Sequence, residues 1–336
     1  MTHTLSYFRY RLKSSLRGLI FLSVIAMVFC FVVSYNEQAP FVIKDYNNFG
    51  VAVSEKTYYD PTLGPSVALM CILCYIAPVW QFAFFKKRRN LDCVYSLPIT
   101  RTALAAVHYG VGLISVLAPF TLCYLQNIFM LRVLRHATVD YSLFLPHYLF
   151  CVLFGIIMYN LLSFAFNEGN TVGDGIAFMF FHTFVPSMFC LLSNEIESDG
   201  LSIPWFYLGD LTSEYSRWIH RFTADSADYF ATDLTRNWLF FWIAAGIVSG
   251  VLLFVFYRIR KTEDTGEISN SFFGYRVLIP YFAIIFILLA EELVLGMILI
   301  MLAIGCYAAY RRGFRFKISD WVIIGLMHVA VILSAS

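Results

Sequence analysis

The sequence predicts an all-α, polytopic membrane protein: a helical bundle with a six-span core and about three extra C-terminal spans. Three observations predict it. Of 336 residues, 60% are hydrophobic and 14% charged, whereas a soluble chain carries roughly 25% charge. Apolar runs of about 18 residues or more recur with almost no charge inside them, the length a helix needs to cross a bilayer. Lys and Arg gather in the segments between alternate runs, as they do on the cytoplasmic side of membrane proteins.

The elements follow in order. Residues 1–17 are expected as a cytoplasmic interfacial amphipathic helix. Leu5, Phe8, Leu12 and Leu16 recur on one helical face, and Arg9, Lys13 and Arg17 on another, suited to anionic head groups. Nine candidate spans follow at 18–35, 65–85, 103–131, 143–166, 176–193, 237–257, 277–290, 293–310 and 318–336. The first is preceded by basic residues, and Ser34–Pro40 lacks a small-x-small cleavage pattern, so it reads as a retained signal anchor. The seventh, at about 14 residues, is short for a full crossing, which leaves three readings: little tilt, local thinning of the bilayer, or a re-entrant hairpin with the eighth. Spans 1–6 (18–257) form the core and 258–276 a cytoplasmic linker. Residues 277–336 add the hairpin and a final helix.

Orientation follows from charge. With the N-terminus in the cytoplasm, only Lys44, Lys56, Arg132, Arg135, Arg217, Arg221 and Arg236 of the 24 Lys and Arg lie outside. The reverse orientation would strand all the others there. Nine spans then leave the C-terminus outside. Two long outer loops cover 36–64 and 194–236. The second sets Glu195, Glu197, Asp199, Asp210 and Glu214 beside Trp205, Phe206, Tyr207, Tyr215 and Trp218, which predicts short helices resting at the outer leaflet.

Several chemistries are excluded by what is missing. A P-loop needs a Gly-rich turn followed by Lys, and no Gly-Lys pair occurs; nor does a zinc-protease H-E-x-x-H. Glu291-Glu292 lacks the downstream partners of a membrane glutamic protease and is read as the polar tip of the hairpin. No catalytic group, metal site or cofactor is expected in the chain. Seven cysteines (Cys30, Cys71, Cys74, Cys123, Cys151, Cys190, Cys306) lie in apolar spans and Cys93 in a basic loop, so no disulfide framework is implied. His108, His147, His182 and His328 are read as neutral helix-packing groups, and Asn127 and Asn160 as interhelical hydrogen-bond partners. Pro78, Pro119 and Pro186 are expected to kink their spans.

The most informative stretch lies between spans 2 and 3. Lys86, Lys87, Arg88 and Arg89 are expected to pin the end of span 2 at the cytoplasmic head groups. Asn90 is a fitting N-cap, and Leu91, Val94, Tyr95 and Pro98 recur at i, i+3, i+4 and i+7, one apolar stripe of a short helix near 90–97. The Leu97-Pro98 step ends that helix. From composition alone, a stop-transfer cluster with an ordinary turn reads as well.

The run Leu91-Asp92-Cys93-Val94-Tyr95-Ser96-Leu97-Pro98-Ile99-Thr100-Arg101 resembles the corresponding loop of type-2 ABC exporter permeases. There an apolar helix ends in Ser-Leu-Pro-(Ile/Val)-(Ser/Thr)-Arg. Tyr257-Arg258-Ile259-Arg260-Lys261-Thr262-Glu263-Asp264-Thr265-Gly266-Glu267 is similar to the basic, then Glu-x-x-Gly run of some bacterial members. The resemblance implies a permease subunit of an ATP-driven exporter in the cell membrane. The loop is then a coupling helix. Leu91, Val94, Tyr95, Leu97 and Pro98 dock apolar contacts into a groove of a separate ABC-type ATPase subunit, and Asp92 and Arg101 add charge contacts. It also implies a second permease subunit, lipid contacts, no nucleic acid, and ATP with Mg held by the ATPase partner alone. A hydrophobic or amphipathic cargo (peptide, lipid or drug) fits the Phe-rich bundle. An ion-coupled secondary transporter and a non-transporting partner or immunity subunit are the alternative functions.

Overall fold

The computed structural model describes residues 2–37, 41–46, 52–58, 64–87, 96, 98–133, 144–183, 233–259, 265–267, 269, 271, 273–290, 293–311, 313 and 316–334. Among these it forms nine helices and one hairpin. In chain order they are α1 (Thr2–Glu37), β1 (Phe41–Tyr46), β2 (Ala52–Tyr58), α2 (Gly64–Phe82), α3 (Arg101–Val133) and α4 (Phe144–Glu168). There follow α5 (172–183), α6 (Asp233–Ile259), α7 (Tyr275–Ala290), α8 (Leu293–Arg311) and α9 (Ile318–Ser334).

Five helices are long and apolar enough to cross a membrane: His3–Val32, Ala68–Lys86, Arg101–Met130, Tyr148–Glu168 and Trp242–Ile259. The chain is a helical membrane protein. Tyr275–Ile287, Gly296–Arg311 and Ile318–Val329 are shorter apolar helices. The fifth expected span continues beyond the described residues after 183.

The described chain divides into two compact units. The first holds Met1–Gln81, Tyr95–Leu161 and Leu211–Arg258; the second holds Phe82–Val94, Leu162–Asp210 and Ile259–Ser336. The polar run after residue 258 thus begins a new stretch of the second unit. That unit also includes the end of α4, all of α5 and the turn after α2.

In the first unit, α1 is one uninterrupted helix of 36 residues, about 54 Å long. No break separates residues 1–17 from the apolar run after them. Its covered stripe against α3 is small and polar: Ser15, Ser23, Ala26 and Cys30 are buried, while Leu5 and Leu16 of the expected apolar face are exposed. Small residues let helix backbones approach closely where lipid offers no hydrophobic drive for association. The Gln126 amide donates to the Met27 carbonyl (3.1 Å) across this contact. On the far side Ile20, Phe21, Val24, Val28 and Val32 are exposed, as a lipid-facing surface requires.

The loop between α1 and α2 holds a hairpin that the sequence reading did not assign. β1 and β2 pair antiparallel from Phe41↔Tyr58 to Tyr46↔Ala52, with an irregularity between Asp45 and Tyr46. Val42, Ile43, Val53, Thr57 and Tyr58 are the residue types that favour strands.

In the second unit, α7, α8 and α9 share one core of Ile287, Ile300, Ala303, Tyr307, Met327 and Val331. The three pack on one another. The turn from α8 to α9 is locked by Arg311, whose Nε and Nη2 donate to the two Asp320 carboxylate oxygens at 3.0 and 2.9 Å. The Lys317 amide donates to Asp320 as well, at 3.0 Å. A cation ends one helix and an anion begins the next, each favourable with its helix dipole.

Candidate functional site

The predicted docking segment is only partly described. Arg88, Arg89, Leu91, Asp92, Val94, Tyr95 and Leu97 lie outside the described residues, as do Asn90, Cys93, Pro186, Cys190 and Glu291-Glu292. The described flanks show how the segment is held. Pro98 is exposed, in a bend just before the helix start. Thr100 then caps α3: its hydroxyl accepts from the Ala103 amide at 3.3 Å and its carbonyl from Leu104 at 2.9 Å. Arg101 is exposed in the first turn. The Pro98-Ile99-Thr100-Arg101 string therefore has a local reason of its own, a bend that leads into an N-cap.

Lys86 has its partners inside the protein. It was expected at the head groups, yet it is 5% exposed. A 3-10 turn, Ala83–Lys86, bends the chain after α2 and turns this side chain inward, while Lys87 is extended and exposed. The Lys86 ammonium donates to the carbonyl of Phe166 (2.7 Å) and to that of Gly169. It also sits over the Phe166 ring, 4.4 Å from its centre. These carbonyls belong to the C-terminal turn of α4, where helices leave acceptors unsatisfied and concentrate partial negative charge. Lys86 is a C-terminal cap.

The same turn is capped from a second direction. The Ser269 hydroxyl donates to the Glu168 carbonyl (2.6 Å), and the Gly266 amide donates to that of Asn170 (3.3 Å). Gly266 has φ +89°, a left-handed conformation that costs any residue with a Cβ. Thr171 then caps α5 by accepting from the Asp174 amide (3.0 Å), and Gly169 packs against the Gly175 backbone, where a side chain would clash. The turn at 166–171 thus gathers the start of the 86–101 segment and the end of the 257–267 run.

A buried polar network lies in the first unit. The Tyr7 hydroxyl and His108 Nε2 are 3.1 Å apart. Tyr109 donates to the Asn160 side-chain oxygen, and Asn160 Nδ2 donates to the Gly246 carbonyl at 3.0 Å, tying α3, α4 and α6 together. Asn160 and His108 act as the interhelical partners the sequence predicts. His182 and His328 bond the carbonyls four residues back, Phe178 and Ile324. The His147 side chain lies outside the described residues. Cys71 and Cys74 are buried free thiols, and Cys74 contacts the Gly155 carbonyl at 3.6 Å. No three His, Cys, Asp or Glu gather as a metal set among the described residues.

Sequence reasoning missed one more feature. In the second unit α5, α7 and α8 line a cavity of about 520 Å³ with Asp174, Tyr275 and Tyr310 at one end and Phe282, Phe286 and Leu302 along it. Asp174 was passed over because it precedes the apolar run of the fifth span by two residues, and Tyr275 lies 101 residues from it. No family model, curated protein or solved structure matches this chain.

Proposed function

We propose that the chain is the membrane-spanning permease subunit of an ATP-driven exporter. A separate ATPase subunit powers it, and it pairs with a second permease subunit. It carries a hydrophobic or amphipathic cargo across the cell membrane, with its N-terminus in the cytoplasm. The observation that supports this reading is the convergence at 166–171. Lys86 opens the 86–101 segment and Gly266 and Ser269 close the polar run after α6, and both are fixed to one helix end. A partner that pushes on either segment therefore pushes on α4 directly. Thr100 stiffens the other end of the segment by capping α3, a helix of 33 residues.

In this mechanism the chain performs no chemistry. Closure of the ATPase dimer presses on residues 90–97, where Leu91, Val94 and Tyr95 fill its groove and Asp92 and Arg101 meet its charges. The displacement passes into α3 at its cap and into α4 at Lys86. Rocking those helices moves the pathway from inward to outward access.

The test is a mild-detergent pull-down of the tagged chain, with ATPase assay of the eluate. The wild type brings down an ATPase; Val94→Asp and Tyr95→Asp reach the membrane in normal amounts but lose the ATPase and transport. Burying a charge in an apolar groove costs several kcal/mol, enough to lower association at least about a hundredfold. Normal ATPase recovery by both variants sinks the coupling role. A wild-type chain that elutes alone sinks the whole reading and favours the ion-coupled transporter.

A further inference from the structure

We propose that the cavity between α5, α7 and α8 binds a single-chain amphiphile with an ammonium head, taken from the membrane. The walls are apolar: Phe282, Phe286, Leu299 and Leu302 line the length of the site. From Tyr275 to Phe286 the groove runs about 16 Å along α7, the reach of one medium-length alkyl chain. Its volume, about 520 Å³, lies within the range of small-molecule sites, roughly 300–1,000 Å³. Both tails of a phospholipid would not fit.

The head end sets the charge of the ligand. Asp174 accepts from the Tyr275 hydroxyl through Oδ1 at 2.8 Å, while Oδ2 is buried without a hydrogen-bond partner among the described residues. A buried carboxylate oxygen left unpaired is costly unless something charged and donating reaches it. The rings of Tyr275 and Tyr310, 5.9 Å apart, flank that end. A carboxylate beside aromatic faces is the arrangement that receives an alkylammonium. Arg276, which acts on Tyr307, lies near this end, as does Arg311, whose guanidinium covers Tyr310 at 5.0 Å. Its charge is committed to Asp320 in a two-point pair, so it does not neutralise Asp174. The site belongs to α5, α7 and α8, and its occupancy is independent of any ATPase partner.

Cys306 lines the cavity and is exposed, so it reports occupancy. The experiment measures the rate of Cys306 alkylation by an apolar maleimide, read by peptide mass spectrometry on the full chain in maltoside micelles. Dodecylammonium, dodecanol and dodecanoate are compared at equal concentration. Dodecylammonium is expected to protect about tenfold better than dodecanol, the value of one charge-assisted hydrogen bond; dodecanoate is expected to protect least. In Asp174→Asn the amine and the alcohol protect alike. In Tyr275→Phe, which keeps the carboxylate, the amine preference persists. Leu302→Trp fills the groove and removes protection by all three, and stands in should Asp174→Asn fail to fold. Equal protection by the amine and the alcohol in the wild type overturns the proposal. So does a preference that survives Asp174→Asn, or protection that survives Leu302→Trp.

Discussion

Lys86 shows how one side chain changes meaning between sequence and structure. In the run Lys86-Lys87-Arg88-Arg89 it reads as one of four equivalent cations. The 3-10 turn separates it from Lys87 by pointing it at the α4 carbonyls 80 and 83 residues away. Nothing in a local window encodes that partner. Lys86→Met keeps much of the aliphatic stem and removes the donor, leaving the Phe166 and Gly169 carbonyls without it. It is expected to destabilise the protein by about 2 kcal/mol, seen as a lower melting midpoint in detergent. Lys87→Met, at the exposed neighbour, is expected to change stability by less than about 0.5 kcal/mol. Equal effects of the two variants would remove the capping role. The glycine of the Glu-x-x-Gly run was legible as a motif, and φ at Gly266 supplies its physical cause.

At the scale of elements, the apolar runs were readable because lipid forces every backbone group in them into helical hydrogen bonds. Helix continuity was harder to read. Arg9, Lys13 and Arg17 suggested a separate surface helix, but basic residues do not break a helix, and no Gly-Pro signal stands between residues 2 and 37. The covered stripe of α1 escaped notice because it is built of Ser, Ala and Cys rather than of the largest apolar groups. The turn from α8 to α9 is held by the pair Arg311–Asp320, with side-chain exposures of 14% and 1%. Removing one partner leaves the other charge buried, at a cost of about 3 kcal/mol. Asp320→Ala and Arg311→Met are each expected to lower the melting midpoint, and the double variant to cost less than their sum by at least about 1 kcal/mol. Strict additivity would show that the turn is held by its apolar contacts alone.

For the whole molecule, charge bias and tertiary contacts can be tested against each other. The bias puts residues 86–101, 258–276 and 311–317 on one side of the membrane. Contacts within the second unit put three segments at one end of it, with no reference to charge: Lys86 meets Gly169, Gly266 meets Asn170, and the Tyr275 ring stands 5.9 Å from that of Tyr310. The sequence reading then expects Glu291-Glu292 on the opposite side. A cysteine-labelling experiment in intact cells decides the matter. Lys87→Cys, Arg276→Cys and Lys317→Cys, all exposed, are expected to resist a membrane-impermeant maleimide until the cells are opened. Glu292→Cys is expected to react from outside. If Glu292→Cys is also protected while the other three behave as stated, α7 and α8 enter and leave from the cytoplasmic side. Helix length makes that the sharpest question, since the 16 residues of α7 span about 24 Å of a hydrocarbon core about 30 Å thick. Reaction of Arg276→Cys or Lys317→Cys from outside would instead reverse the orientation of the second unit. It would also remove the convergence at 166–171 from the reach of a cytoplasmic ATPase.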